Sequence, residues 1–211
     1  LATPILGERL PPEIPKVLVP GILRDEIVLN PPPASDTPIA FLYSGSLDIE
    51  RGGPLLLSFL EQGNFPADLE IHITGQGHFT DRLLAVQHRF PNVIHFHGTV
   101  SQKELSRIRN SCHFGLNLQS SSNPISEVTY PSKTFDYLNA GLRVISTKAA
   151  GVEKVLGTSA IYLATETIEG LATAIHIACR EINISIDKKV PSSTENYSFD
   201  GTVRRLRHFL I

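Results

Sequence analysis

Methionine is absent from all 211 residues, and the chain begins at Leu1 without a leader-like pattern, so it reads as a fragment or processed product of a longer protein. Cysteine is nearly absent. Cys112 and Cys179 are the only two, which argues against a disulfide framework or a cysteine metal cluster and leaves two small apolar packing residues. An excess of either charge is missing as well: Lys and Arg number 19, Asp and Glu 21, and the net charge of −2 creates no field to attract nucleic acid. Nor is there an apolar run of about eighteen residues able to span a bilayer. Together these absences describe a soluble, cytoplasmic chain. Its 41% hydrophobic content suits one domain, or a domain with an arm, burying roughly 70% of its unfolded surface.

Proline is plentiful only at the start. Nine of the fifteen fall within the first 38 residues, including Pro11-Pro12 and Pro31-Pro32-Pro33, so residues 1–37 read as an extended interdomain arm. Within it the Val-Leu-Val run of Lys16–Pro20 is a candidate short strand. After Pro38 the pattern alternates. Ile39–Tyr43, Leu69–Thr74, Asn92–Phe96, Cys112–Leu118, Arg143–Thr147 and Ala160–Ala164 are expected strands, bounded by turn residues. Between them Leu55, Leu56, Phe59 and Leu60, then Leu83, Val86 and Phe90, recur at helical spacing. Gln102–Arg109, Pro131–Asn139 and Ile168–Ile182 are the further helices. The expected fold class is α/β: a Rossmann-like, doubly wound parallel sheet of about six strands with helices on both faces, over residues 38–193. Asn183–Ser193 reads as a break, and residues 194–211 as a C-terminal helix with Val203, Leu206 and Leu210 on one side.

In such a sheet ligands bind outside the carboxyl ends of the strands, so the loops there carry the candidate chemistry. After the first strand, Gly45-Ser46 and Gly52-Gly53 allow close backbone approach, and Arg51 brings a guanidinium suited to bidentate phosphate contact. Gly75-Gln76-Gly77 after the second is part of a dinucleotide fingerprint, or simply a tight turn. Thr99 and Val100 follow the third and could present main-chain groups to a base. The polar loop Gln119–Tyr130 follows the fourth, at a length of about twelve residues that favours function over mere connection. Beyond it, Pro131 leaves the amides of Ser132 and Lys133 free at a helix start. Lys133 adds a full charge there, and Asp136 lies about one turn deeper, placed for ribose hydroxyls. The alternative for Lys133 and Asp136 is an ordinary surface ion pair. His72, His95 and His97 alternate on or beside strands and His113 starts another. Their spacing matches no metal site, and they read as ordinary core or edge histidines.

Tyr43-Ser44-Gly45-Ser46-Leu47, Arg51-Gly52, Ile73-Thr74-Gly75-Gln76-Gly77, Phe96-His97-Gly98-Thr99-Val100 and Pro131-Ser132-Lys133-Thr134-Phe135-Asp136-Tyr137-Leu138-Asn139-Ala140-Gly141 follow one another in an order and spacing that resemble a known family. It is the glycosyltransferase group 1 family (family 4, GT-B fold), a retaining family with two Rossmann-like halves, and the likeness is to the C-terminal half. The resemblance implies a donor-binding domain of a metal-independent hexosyltransferase in cell-surface polysaccharide or glycolipid synthesis. It implies that Arg51 and the Ser132 and Lys133 amides hold the diphosphate of a UDP- or GDP-linked sugar. Asp136 would hold the ribose, and the main chain of Thr99 and Val100 the base, with Gly45, Ser46, Gly52, Gly75 and Gly77 lining the approach. Glu127 falls near the donor sugar, and Arg51 and Lys133 stabilise the leaving group.

No cofactor and no metal are expected, since the sequence has no Asp-x-Asp pair and comes nearest to one at Asp48-Ile49-Glu50. The acceptor, a sugar or glycolipid, and any catalytic base belong by the same resemblance to an N-terminal half. The C-terminal helix would pack toward that half, and without it the fragment is expected to be inactive. The full-length protein is expected at the inner face of the membrane as a peripheral protein. Three positions depart from the family. Ser46 stands where arginine is usual, Asp136 where glutamate is usual, and the eight residues between Glu127 and Asp136 are one more than usual. A nucleotide-sugar epimerase of the same architecture and a non-catalytic nucleotide-binding module stay open beside the transferase.

Overall fold

A computed structural model describes residues 7–24, 30–31, 37–182 and 197–210; the expected break at 183–193 lies outside them. Six apolar runs pair into one sheet. They are β1 (Ile39–Ser44), β2 (Leu69–Thr74), β3 (Ile94–Gly98), β4 (Phe114–Asn117), β5 (Arg143–Ser146) and β6 (Ala160–Tyr162), in the order β3-β2-β1-β4-β5-β6 with every pairing parallel. Strands covered on both faces need apolar residues at consecutive positions, as in the fully buried Phe41, Leu42 and Tyr43 of β1. Helices α1 (Gly53–Gln62), α2 (Thr80–Arg89) and α7 (Ile168–Glu181) close one face over Phe41, Ile71, Ile73 and Phe114. The other face, over Ala40, Leu42 and Val144, is closed by α3 (Gln102–Ser111), α5 (Lys133–Asn139) and α6 (Val152–Leu156).

The doubly wound α/β fold is therefore as expected, and its strand order positions the site. The chain lays β1, β2 and β3 outward in one direction, then returns to place β4 on the other side of β1. Loops leaving β1 and β4 consequently diverge to opposite faces and open a crevice between them, the switch point where such folds bind ligands.

Some boundaries move for local reasons. The helix expected from Pro131 starts at Lys133, because the Pro131 carbonyl is used in a turn that accepts the Thr134 amide at 3.0 Å. Lys16–Pro20 forms no strand. Instead the arm docks at Leu23, which is 2% exposed within the second core cluster and forms an isolated bridge to Ser198. Its amide donates to the Tyr197 carbonyl and its carbonyl accepts from Phe199, at the start of α8 (Phe199–Leu210). Gly21 lies so close to Phe135 that an added Cβ would stand 2.7 Å from the ring. Among the described residues, no helix is long and apolar enough to cross a membrane.

Candidate functional site

The loop after β1 is folded back over the strand by Tyr43, whose hydroxyl donates to the carbonyls of Ser46 (2.7 Å) and Arg51 (2.9 Å). Loops after β1, β2 and β3 are stitched into one rim, through Gly45 N to Thr74 O, Leu47 N to Gln76 O and Gly75 N to Gly98 O. Two glycines in this rim are required by close packing. At φ +120° Gly75 would place a Cβ 1.9 Å from the Gly45 carbonyl oxygen, and at φ +83° Gly52 would place one 1.9 Å from that of Leu118. Gly77 is likewise packed beneath Leu47 and Asp48. Gly45 differs, since its open side faces the Lys133 ammonium, with 3.6 Å between Nζ and the position of a Cβ.

Lys133 reaches the crevice from the far side of the long loop. Its stem is half-exposed, but Nζ is shielded from water and has no hydrogen-bond partner among the described residues. It sits 4.5 Å over the centre of the Tyr43 ring, a cation–π contact. Burial, and secondly the charge of Arg51, push the lysine pKa down to about 7. Arg51, in the 3₁₀ turn Ile49–Arg51, donates from Nη1 to Gln119 Oε1 at 2.7 Å, a neutral acceptor. Both cations border Tyr43 at the carboxyl end of β1: its ring lies beneath Lys133 Nζ, its hydroxyl reaches the Arg51 carbonyl, and the Arg51 charge is felt at Lys133. Asp136 is exposed on α5, one turn along, and the surface ion pair with Lys133 does not form.

The remaining expected residues are less concentrated. Ser132 is exposed before α5; the Phe135 and Asp136 amides donate to its carbonyl, and its own amide and that of Lys133 stay free of the turn. Ser46 donates from Oγ to the Asp48 carboxylate, which His78 also contacts through Nδ1 at 2.8 Å. These hydrogen bonds, that of Ser46 first, lower the Asp48 pKa to about 2. Thr99 is exposed just past β3, while Val100 is half-buried against the second apolar cluster. Glu127 lies on the single turn α4 (Ile125–Val128), with its carboxylate ion-paired to Arg9 of the arm.

Sequence reasoning missed Gln119. Fully buried, it accepts from Arg51, donates from Nε2 to Thr129 O at 3.0 Å, and accepts from Thr147 Oγ1 through its own carbonyl at 2.6 Å. It therefore fixes the guanidinium to the β4 side of the crevice. The only local signal is its place directly after an apolar strand. Glu166 was also unforeseen; both its oxygens accept from the Ser121 amide, at 3.1 and 3.0 Å, and pin the long loop. Beside them a hollow of about 350 Å³ is lined by residues including Ile49, Gly52, Leu118, Ser120, Asn123 and Glu166.

No family model matches the sequence, and no curated protein matches it. Solved structures do match in fold. The lipopolysaccharide outer core galactosyltransferase WaaB, in apo form, has a TM-score of 0.66 at 16% identity, covering 98% of this chain and 58% of its own. Anabaena Alr3699/HepE in complex with UDP has a TM-score of 0.57 at 15% identity, covering 82% of this chain and 49% of its own. The catalytic domain of a cholesterol-α-glucosyltransferase from Helicobacter pylori has a TM-score of 0.52 at 10% identity, covering 79% and 99%. This chain spans about half the length of the first two. Six parallel strands, a β1/β4 switch point and these likenesses give the chain the fold of a GT-B glycosyltransferase domain.

Proposed function

We propose that this chain is the donor half of a retaining, metal-independent glycosyltransferase, which binds a nucleotide-diphosphate sugar and passes its hexosyl group to an acceptor hydroxyl. The carrying observation is the pair Arg51 and Lys133, two cations near the switch point that have no carboxylate partner among the described residues, one of them with its ammonium buried. A charge held there without compensation is costly to the fold, and an arriving anion of matching size relieves the cost. A pyrophosphate is such an anion. As the glycosidic bond breaks, negative charge grows on the leaving diphosphate, and cations fixed beforehand stabilise that state more than the intact donor.

Asp136 is assigned to the ribose, Thr99 and Val100 to the base, and Glu127 to the donor sugar, which requires its ion pair with Arg9 to open. The acceptor, sugar or glycolipid, belongs to a partner half, toward which α8 would present Phe199, Val203 and Arg207. UDP bound to the fold neighbour HepE favours a uridine donor. The test is thermal unfolding of this chain with UDP, GDP and their hexose conjugates, since a ligand of the native state raises stability by linkage. Stabilisation by one nucleoside diphosphate, lost in Lys133→Met and Arg51→Ala, is expected; equal stabilisation of wild type and both variants would remove the assignment. Chelator should leave transfer by a protein containing both halves unchanged.

One observation favours a second reading, a nucleotide-binding module without turnover. Ser46 is tied to Asp48, so this loop offers a carboxylate where the resembling family has an arginine. Product analysis with labelled donor on the two-half protein separates the two.

A further inference from the structure

A second cluster of titratable groups lies on the strand bodies, apart from the rim. Parallel pairing sets His72 of β2 beside His95 of β3, and Glu70 and His97 fall on the same face, each two residues from one of them. Glu70, His72 and His95 are all half-buried. Glu70 Oε2 stands 3.6 Å from His72 Nε2 and 3.8 Å from His95 Nε2. One candidate donor atom from each of the three lies within 4.8 Å of the others. A tetrahedral zinc centre with bonds of about 2.1 Å has edges of about 3.4 Å, so two edges are almost formed and a modest rotation of the His95 ring closes the third.

Two further features separate this arrangement from a chance meeting of surface histidines. His72 Nδ1 is 3.0 Å from His97 Nε2, a contact that aims the other nitrogen of His72 toward Glu70, as outer partners orient ligating imidazoles. His95 Nε2 is shielded from water and makes no hydrogen bond among the described residues.

We propose that Glu70, His72 and His95 bind one divalent transition cation of the zinc class, with His97 as the orienting partner. Two imidazoles and a carboxylate suit zinc among the available divalent ions, and three protein ligands leave one position for water. His72 lies two residues before the end of β2, on the β2–β3 side of the sheet, whereas Arg51 is held to Gln119 just after β4 and Lys133 lies over Tyr43 of β1. The ion therefore takes no part in the donor chemistry. It clamps the edge strand β3 to β2 and stabilises the native state by linkage. The sequence spacing held no metal pattern because the ligands come from two strands and meet only through their register.

The test is titration of the tag-free chain with Zn²⁺ against a chromophoric chelator at pH 7.5, with thermal melts in parallel. One equivalent is expected to bind and to raise the melting temperature. His72→Gln and His95→Gln should each lose at least about 10-fold in affinity, and His97→Phe about 10-fold. His88→Gln and His208→Gln, on α2 and α8 and outside the cluster, should bind as wild type. His95 and Glu70 have side chains 31% and 30% exposed, so His95→Gln and Glu70→Gln decide the matter if a His72 variant unfolds. Absence of saturable binding below about 100 µM, or unchanged affinity in His95→Gln and Glu70→Gln, overturns the site.

Discussion

Lys133 is charged in water and poorly served in its folded position, where burial lowers its pKa from 10.5 to about 7. Between those values the unfolded chain binds more protons than the folded one, so this group makes stability rise with pH from about 7 upward. Below pH 7 the full cost of the buried charge is present. Lys133→Met keeps the stem over Tyr43 and removes the charge. Urea unfolding of the ligand-free variant should therefore show a gain of about 1–3 kcal/mol at pH 6.5, shrinking toward pH 8.5. The same substitution should cost at least about 10-fold in nucleotide affinity, because a diphosphate restores the lysine proton. Calorimetry of UDP binding at pH 8 in buffers of different ionisation enthalpy should detect that uptake in wild type and not in Lys133→Met. Gln119 acts through its neighbour. Gln119→Leu leaves Arg51 without its 2.7 Å acceptor, and nucleotide affinity should fall about 5-fold with α5 intact.

At the scale of elements, the loops after β1 and β4 owe their positions to glycines packed against carbonyls. Gly52→Ala combines a left-handed φ of +83° with a Cβ 1.9 Å from Leu118 O, and Leu118 adjoins Gln119. Destabilisation of about 3 kcal/mol or more, measured in urea, is expected, with loss of nucleotide binding in whatever folds. The sequence announced these glycines but not what stands opposite them. Apolar runs and helical stripes made all six strands and the main helices legible, because each depends on residues within one segment. Arg51 and Lys133 were legible as cations near strand ends. Their meeting was not: Arg51 and Gln119 are 68 positions apart, and the ring beneath Lys133 comes from β1. The end of β3 was misplaced for a similar reason, since its carbonyl at Gly98 is held by the Gly75 amide of another loop.

For the whole molecule, the Pro-rich start is part of what holds the domain together along its described stretch. Leu23 fills a place in the second core cluster with Phe135 and Tyr197, and Phe135 meets the rings of Tyr130 and Tyr197 at 5.5 and 6.2 Å. Asn139 locks the arm further, accepting from the Arg24 amide at 2.8 Å and donating to the Ile22 carbonyl at 3.1 Å. Phe135 and Asn139 both lie on α5, the helix that carries Lys133 and Asp136. Arm and donor site are therefore coupled through one short helix, which at seven residues has little stability of its own. Leu23→Ala should cost about 2–4 kcal/mol by leaving a cavity beside Phe135, and the loss should appear as one cooperative transition. If the arm were a detached linker, the variant would melt as wild type. Coupling also predicts weaker nucleotide binding in Leu23→Ala, although Leu23 lies in the core cluster and not beside Arg51 or Lys133 Nζ. Titrating wild type and variant with UDP at a temperature where both stay folded separates loss of α5 order from simple loss of stability.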